Sequence, residues 1–308
     1  MLVGPTAVGK TRYSLEIARR WNAEIISGDS MQVYRGMDIG TAKIMPEEME
    51  GIPHHLIDIR DPEEPFAAGE FQRLARACIE EIAARGRLPF IVGGTGLYIE
   101  SLLYGFDFPE ASSDGRIRSE LKAFAERHGA EALHERLREV DPESAARLHP
   151  NDVKRVIRAL EIALETGESM SAKVAGFREP RESPYAFCLI GLTMDREVLY
   201  DRINRRVDAM IEAGLVEEVR RLLSRGVPPE ATSMQAIGYK EIVPHLTEGV
   251  PLAEAVERLK RDTRRYAKRQ LSWFRRMKGI EWVDVTDEGN LIANLEAIHA
   301  IITGKFKD

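Results

Sequence analysis

An α/β fold, with a parallel-sheet core, helices on both of its faces and an all-helical insertion, is what this 308-residue sequence predicts. Three observations lead there. A loop of phosphate-binding pattern stands at residues 4–11, short apolar runs alternate with amphipathic helical stretches up to Val92, and strand signals vanish between Ser113 and Arg178 before they resume.

The loop reads Gly4-Pro5-Thr6-Ala7-Val8-Gly9-Lys10-Thr11. Its glycines let the chain turn so that backbone N–H groups converge on a phosphate oxygen, and the helix that follows adds its positive N-terminus. Lys10 neutralises charge, and Thr11 can reach a Mg²⁺ ion. Phosphate is therefore the expected ligand, and the loop alone leaves open whether it belongs to a nucleotide or to another diphosphate. Only Met1, Leu2 and Val3 precede the loop, so the first strand is expected to be shorter than the usual run of about five residues.

Ser14, Leu15, Ile17, Ala18 and Trp21 give the next helix an apolar face, and residues 24–27 read as a buried strand ending at Gly28-Asp29. A second strand is expected over 54–59. A helix follows over 71–84 with Leu74, Ala75, Cys78, Ile79 and Ile82 inward, then a strand over 88–92 ending in Gly93-Gly94-Thr95. Ligands of parallel sheets bind beyond the carboxyl ends of the strands, so the loop, Asp29 and Thr95 should share one rim. The core thus takes residues 1–112, a helical insertion 113–180 carries helices over 116–128, 130–139 and 152–166, and the core resumes over 181–308. In that last part strands are expected at 186–192 and 281–285, and helices at 195–213, 216–225, 239–246, 252–277 and 291–302.

With 44% hydrophobic and 31% charged residues the chain reads as soluble and globular, and its net charge of −6 excludes a uniformly basic coat. Local basic faces have to be sought separately. Residues 258–278 hold ten Lys or Arg against the single acid Asp262, with Tyr266, Trp273 and Phe274 interleaved. Such a helix either follows an RNA backbone, its aromatic planes stacking on unpaired bases, or is a solvated face with its aromatics in the core. Lys154, Arg155 and Arg158 form a smaller cluster on a helix capped by Asn151 or Asp152. Cys78 and Cys188 stand singly, without metal-ligand spacing, which points to core positions in a reducing cytoplasm. No apolar run approaches the roughly 18 residues of a membrane helix. At the end of strand 88–92, where many nucleotide-hydrolysing phosphate-loop proteins place a Mg²⁺-holding Asp, this chain has Gly93-Gly94-Thr95. Asp58 is the fallback ligand.

Six blocks in one order carry a resemblance: the phosphate loop, 27–34 with 40–43, Pro53-His54-His55, Val92-Gly93-Gly94-Thr95-Gly96-Leu97-Tyr98, His149-Pro150-Asn151-Asp152, and Gln235-Ala236-Ile237-Gly238-Tyr239-Lys240. Together they resemble the bacterial tRNA dimethylallyltransferases, also called tRNA isopentenyltransferases, over nearly the whole chain. The resemblance implies transfer of a dimethylallyl group from dimethylallyl diphosphate to N6 of adenosine 37 beside the tRNA anticodon; a cytoplasmic monomer is expected. It implies that Asp29 is the general base, and that Gly4, Pro5, Thr6, Ala7, Val8, Gly9, Lys10, Thr11 and Arg206 hold the diphosphate, with Mg²⁺ at Thr11. Thr95 is implied to donate a hydrogen bond near the reacting amine or the diphosphate. Asp29, Ser30, Met31 and Gln32 are implied to contact the extruded adenosine. The anticodon stem-loop falls to Lys154, Arg155, Val156, Ile157 and Arg158, to Gln235 through Lys240, and to Lys268, Arg269, Gln270, Trp273 and Arg275. Eukaryotic members carry a C-terminal zinc finger, from which this chain departs, having only two cysteines. A small-molecule kinase, an adenylate prenyltransferase and a non-catalytic RNA-binding protein would share parts of the pattern.

Overall fold

The computed structural model describes residues 1–106, 108, 115–172 and 183–306. Two compact units emerge, one made of Met1–Leu103 with Pro184–Asp308, the other of Tyr104–Ser183. The expected ends of the insertion, at 113 and 180, lie outside the described residues.

The larger unit holds six strands: β1 (Leu2–Val3), β2 (Ala23–Ser27), β3 (His54–His55), β4 (Leu88–Gly93), β5 (Leu189–Thr193) and β6 (Ile280–Asp284). They form one parallel sheet in the order β3-β2-β4-β1-β5-β6. Short as it is, β1 lies at the centre, Leu2 facing Val92 of β4 on one side and Ile190 of β5 on the other. Leu2 and Val3 are completely buried. Helices α1 (Lys10–Arg20), α2 (Ala68–Ala84) and α3 (Gly96–Tyr104) connect the first strands. The apolar side chains Ile17, Ile25, Phe90, Leu192, Ile203 and Ile298 interlock in the main core. Every residue of β2 is buried, as a strand covered on both faces should be. That includes Glu24, whose charge is tolerated because Arg85 and His55 each meet its carboxylate at 2.7 Å. The hydrogen bond from Arg85 chiefly holds this carboxyl below its usual range, against the opposing pull of burial.

The strand expected over 54–59 stops at His55. Leu56 and Asp58 take left-handed backbone angles (φ 63 and 53), which a pleated strand cannot contain. Asp58, the fallback Mg²⁺ ligand expected from sequence, turns its carboxylate to the buried Lys43 ammonium at 2.5 Å.

In the smaller unit, α4 (Arg116–Val140) breaks at Gly129 (φ 85, ψ 166), between the two helices the sequence predicts. With α5 (Pro142–Arg147) and α6 (Val153–Thr166) it packs around Leu121, Leu133, Leu137, Val156 and Leu160. Asp141 caps α5 by accepting the Ser144 N–H at 3.0 Å. The expected side-chain cap of α6 is absent: Asp152 is at the N-cap position but makes no cap hydrogen bond, and its carboxylate pairs with Arg155 at 3.2 Å.

The larger unit is completed by α7 (Arg196–Glu212), α8 (Leu215–Ser224), α9 (Tyr239–Thr247), α10 (Leu252–Phe274) and α11 (Leu291–Lys305). Among the described residues no helix is long and apolar enough to cross a membrane.

Candidate active site

Gly9 adopts φ 103, a left-handed turn open to glycine, and hands the chain to α1. No side chain caps that helix, so the unpaired N–H groups of its first turn remain available to an anion. Lys10 folds back over the loop, its Nζ donating to the Gly4 and Pro5 carbonyls at 3.0 and 2.7 Å. Burial pushes the Lys10 ammonium down to about 8; Asp29 opposes that shift and Arg206 adds to it.

Beyond β2, Asp29 Oδ1 accepts the N–H groups of Met31 at 2.8 Å and Gln32 at 3.3 Å, which fixes the carboxylate by its own following turn. No protein donor among the described residues occupies Oδ2. The neighbouring strand end comes so near that a Cβ on Gly93 would stand 2.3 Å from the Gly28 carbonyl oxygen. This close approach explains the glycine where other phosphate-loop proteins place an acid. It also lets Thr95 Oγ1 accept the Ser30 N–H at 3.2 Å. Gln32 is anchored in turn, its Nε2 donating to the Thr41 and Ala42 carbonyls and its Oε1 accepting from Ser27 Oγ.

Three arginines near one another on α7 separate by their partners. Arg202 pairs with Glu288 at 2.6 Å and Arg205 with Asp201 at 2.8 Å. Arg206, half-buried, has neither an acid partner within 4.0 Å nor a hydrogen bond among the described residues. Burial draws its guanidinium below the usual arginine value, while Asp29 pulls the other way. Nearby, burial and then the charge of Asp29 push the Tyr266 phenol upward, so it stands as a neutral hydroxyl beside Thr95 and Gln270.

One cavity of about 680 Å³ brings Lys10, Thr11, Asp29, Gln32, Arg206 and Tyr266 to a common surface. Thr6, Ala7, Gly9, Ser30, Met31, Arg269 and Gln270 also line it, as do Gln235, Ala236, Ile237, Gly238 and Lys240. Four of the site residues expected from sequence have buried side chains, which leaves their backbone groups for any contact with a ligand. Val8, Val156, Ile157 and Tyr239 have 1%, 0%, 5% and 0% of their surface exposed, because each faces the interior of its unit. The Gln270 amide is likewise turned inward and spent on backbone groups. Trp273 is half-buried against Gly96, with its indole N–H on Glu100. Arg158 pairs with the buried Glu161 at 2.7 Å. Lys268, Arg269 and Arg275 are exposed and have no acid partner among the described residues. Sequence reasoning passed over Tyr266 as a cavity residue, although it lies four positions before Gln270 and so on the same helix face. It also missed Glu218, whose partners are three backbone N–H groups and the Tyr239 hydroxyl and left no pattern.

An α/β core in which a glycine-rich loop, the start of a helix and a carboxylate line one cavity is an arrangement suited to group-transfer chemistry. The IPP transferase family model matches residues 32–277. A tRNA dimethylallyltransferase of Geobacillus thermodenitrificans is 55% identical over 307 residues, covering 100% of this chain and 96% of the relative. The crystal structure of a Bacillus halodurans tRNA isopentenylpyrophosphate transferase is similar at 51% identity and a TM-score of 0.73, with 99% of this chain and 97% of that chain covered. A eukaryotic dimethylallyltransferase described as acting on tRNA is 32% identical, with a TM-score of 0.81 over 99% of this chain and 78% of its own. The chain belongs to the IPP transferase family of tRNA-modifying prenyltransferases.

Proposed function

We propose that this enzyme transfers a dimethylallyl group from dimethylallyl diphosphate to N6 of adenosine 37 in tRNA, acting as a monomer in the cytoplasm. One observation carries the reading: Lys10 and Arg206, two cations without acid partners within 4.0 Å among the described residues, share a cavity with the half-engaged carboxylate of Asp29. The cations and the loop N–H groups suit a diphosphate, because they answer to oxygens and charge and not to the organic group attached. Asp29 Oδ2 is the acceptor for the N6 proton.

The allylic C–O bond breaks with its electron pair going to the diphosphate, and the N6 lone pair forms the new C–N bond. The proton of that amine passes to Asp29. Lys10, Arg206 and the N–H groups of α1 stabilise the charge that grows on the leaving oxygen. Among the described residues no cluster of three or more His, Cys, Asp or Glu could hold a metal, so Mg²⁺ would rest on Thr11 and on the diphosphate itself. That mode suits a cation which keeps most of its waters, and the exposed Thr11 hydroxyl at the cavity fits it. When bound, the ion supplies further neutralisation of the leaving group. A base buried in an anticodon loop must be extruded to reach the cavity, and the exposed Lys268, Arg269 and Arg275 suit the phosphates around it.

Mass analysis of tRNA after incubation with dimethylallyl diphosphate and Mg²⁺ tests the reading. One dimethylallyl group on adenosine 37 is expected. ATP consumption with unaltered RNA would replace the proposal with a kinase.

A further inference from the structure

Gln270 lies on the most basic helix of the chain, yet it is only 6% exposed while Lys268 and Arg269 beside it are exposed. Its side chain bridges two loops remote in sequence. Oε1 accepts the Thr6 N–H at 2.9 Å, and Nε2 donates to the Gly94 carbonyl at 2.9 Å. Only one orientation of the amide satisfies both, since turning it over would set N–H against N–H and oxygen against oxygen. Gly94 is shaped around this contact: a Cβ there would lie 2.3 Å from Gln270 Nε2.

The two anchored groups belong to different halves of the site. Thr6 is part of the phosphate loop and lines the cavity. Gly94 precedes Thr95, which holds the Ser30 N–H next to Asp29. We propose that Gln270 is a positioning residue, an amide clamp that sets the distance between the diphosphate cradle and the segment carrying the base, and so aligns donor with acceptor. The proposal rests on the prenyl-transfer reading. Its physical basis is that a transfer reaction depends on a near-attack geometry, so that a misplacement of about 1 Å can cost 10²-fold in rate.

A loosened clamp has a second consequence. A donor held out of line with the amine is open to water, whose oxygen then takes the allylic carbon. The C–O bond to diphosphate breaks with its pair on the diphosphate, and a proton is released. The products are dimethylallyl alcohol and diphosphate.

The test compares the parent with Gln270→Met, of similar length but without hydrogen bonds, and with Gln270→Glu. For Gln270→Met the expected results are a single-turnover rate lower by about 10- to 100-fold at saturating substrates, a tRNA Kd within about threefold of the parent, and a larger share of donor lost as alcohol. Gln270→Glu keeps the acceptor for Thr6 but lacks the donor for Gly94. Protonation of its carboxyl restores an O–H donor, so its rate relative to the parent should recover as pH falls from about 8 to about 5.5. Parental rate and partition in Gln270→Met, or a pH-independent ratio in Gln270→Glu, would overturn the clamp. Amide exchange of Thr6, read by NMR, follows the clamp without catalysis: faster exchange in either variant supports it, and unchanged exchange in both overturns it. A parent that leaves tRNA unprenylated defeats the functional reading, while the exchange result still judges the clamp.

Discussion

The Tyr239 hydroxyl donates to Glu218 Oε1 at 2.6 Å, and the same buried carboxylate accepts the N–H groups of Asp38, Ile39 and Gly40 at 3.0, 2.9 and 3.1 Å. One side chain of α8 thereby holds the loop whose next residues, Thr41 and Ala42, fasten Gln32 in the cavity wall. A hydrogen bond to a charged group contributes about 1.5–3 kcal/mol. Tyr239→Phe should lower stability by that amount in urea unfolding, with the three backbone donors still in place. Glu218→Ala strands all four donors and should cost more. Equal stability of Tyr239→Phe and parent would show that the phenol is only packed there.

Asp29→Asn should preserve tRNA affinity and lower single-turnover transfer by about 10²- to 10⁴-fold, the usual contribution of a positioned base. The amide still offers an oxygen to Met31 and Gln32, so the turn survives, but it cannot take the N6 proton. Rapid-quench measurement at saturating substrates decides the matter, and a near-normal rate would remove Asp29 from that role.

Arg206 is a half-buried cation without an acid partner among the described residues, a costly state in a ligand-free protein. Arg206→Met should weaken inorganic diphosphate binding and transfer, leave the tRNA Kd nearly unchanged, and raise Tm by a few degrees. Loss of stability together with unchanged donor kinetics would mean that the guanidinium serves packing.

Lys10 sets a pH dependence. Burial lowers its pKa to about 8, so the free protein loses the ammonium as pH rises through that value, and bound diphosphate favours the charged form. Diphosphate affinity should therefore fall above pH 8, and binding at about pH 8.5 should take up protons. Calorimetry in buffers of different ionisation heat measures the uptake. In Lys10→Met that component should vanish, leaving only the titration of diphosphate itself.

Replacing Lys268 and Arg275 together with Ala should weaken tRNA binding and flatten its salt dependence, by roughly 0.7 to 0.9 in a log–log slope for each lost phosphate contact. Transfer at saturating RNA should stay near the parent rate. An unchanged slope in a folded variant would leave the helix as a solvated face.

Residues whose chemistry imposes a spacing were legible in the sequence. The loop glycines, Lys10 and Asp29 announce themselves because turns, charge and strand ends constrain them together, and the alternation of strands and helices foretells the parallel sheet. Arg206 came from resemblance; what sets it apart physically is that Arg202 and Arg205 are engaged elsewhere. Less was visible where a side chain answers to distant backbone. Gln270 and Thr6 lie 264 residues apart, and a glutamine in a basic helix reads as surface until the Thr6 N–H is placed beside it. Val156 and Ile157 stand between basic neighbours in the sequence, yet their apolar character assigns them to the core of α4–α6. The end of β3 was hidden because nothing in the largely apolar run 56–59 signals the left-handed backbone at Leu56 and Asp58.

The place of β1 in the sheet governs the order in which the molecule can assemble as it is synthesised. Leu2 and Val3 need β4 on one side and β5 on the other, and the β5 residues follow long after. At about 5–20 residues per second, roughly 10–40 s separate the emergence of β1 from that of its second neighbour. During that interval the phosphate loop is tethered to an unfinished sheet, with apolar residues open to chaperones or to misplaced strands. The phosphate loop is thus made well before the sheet beneath it is complete, and it becomes rigid only once β5 has arrived.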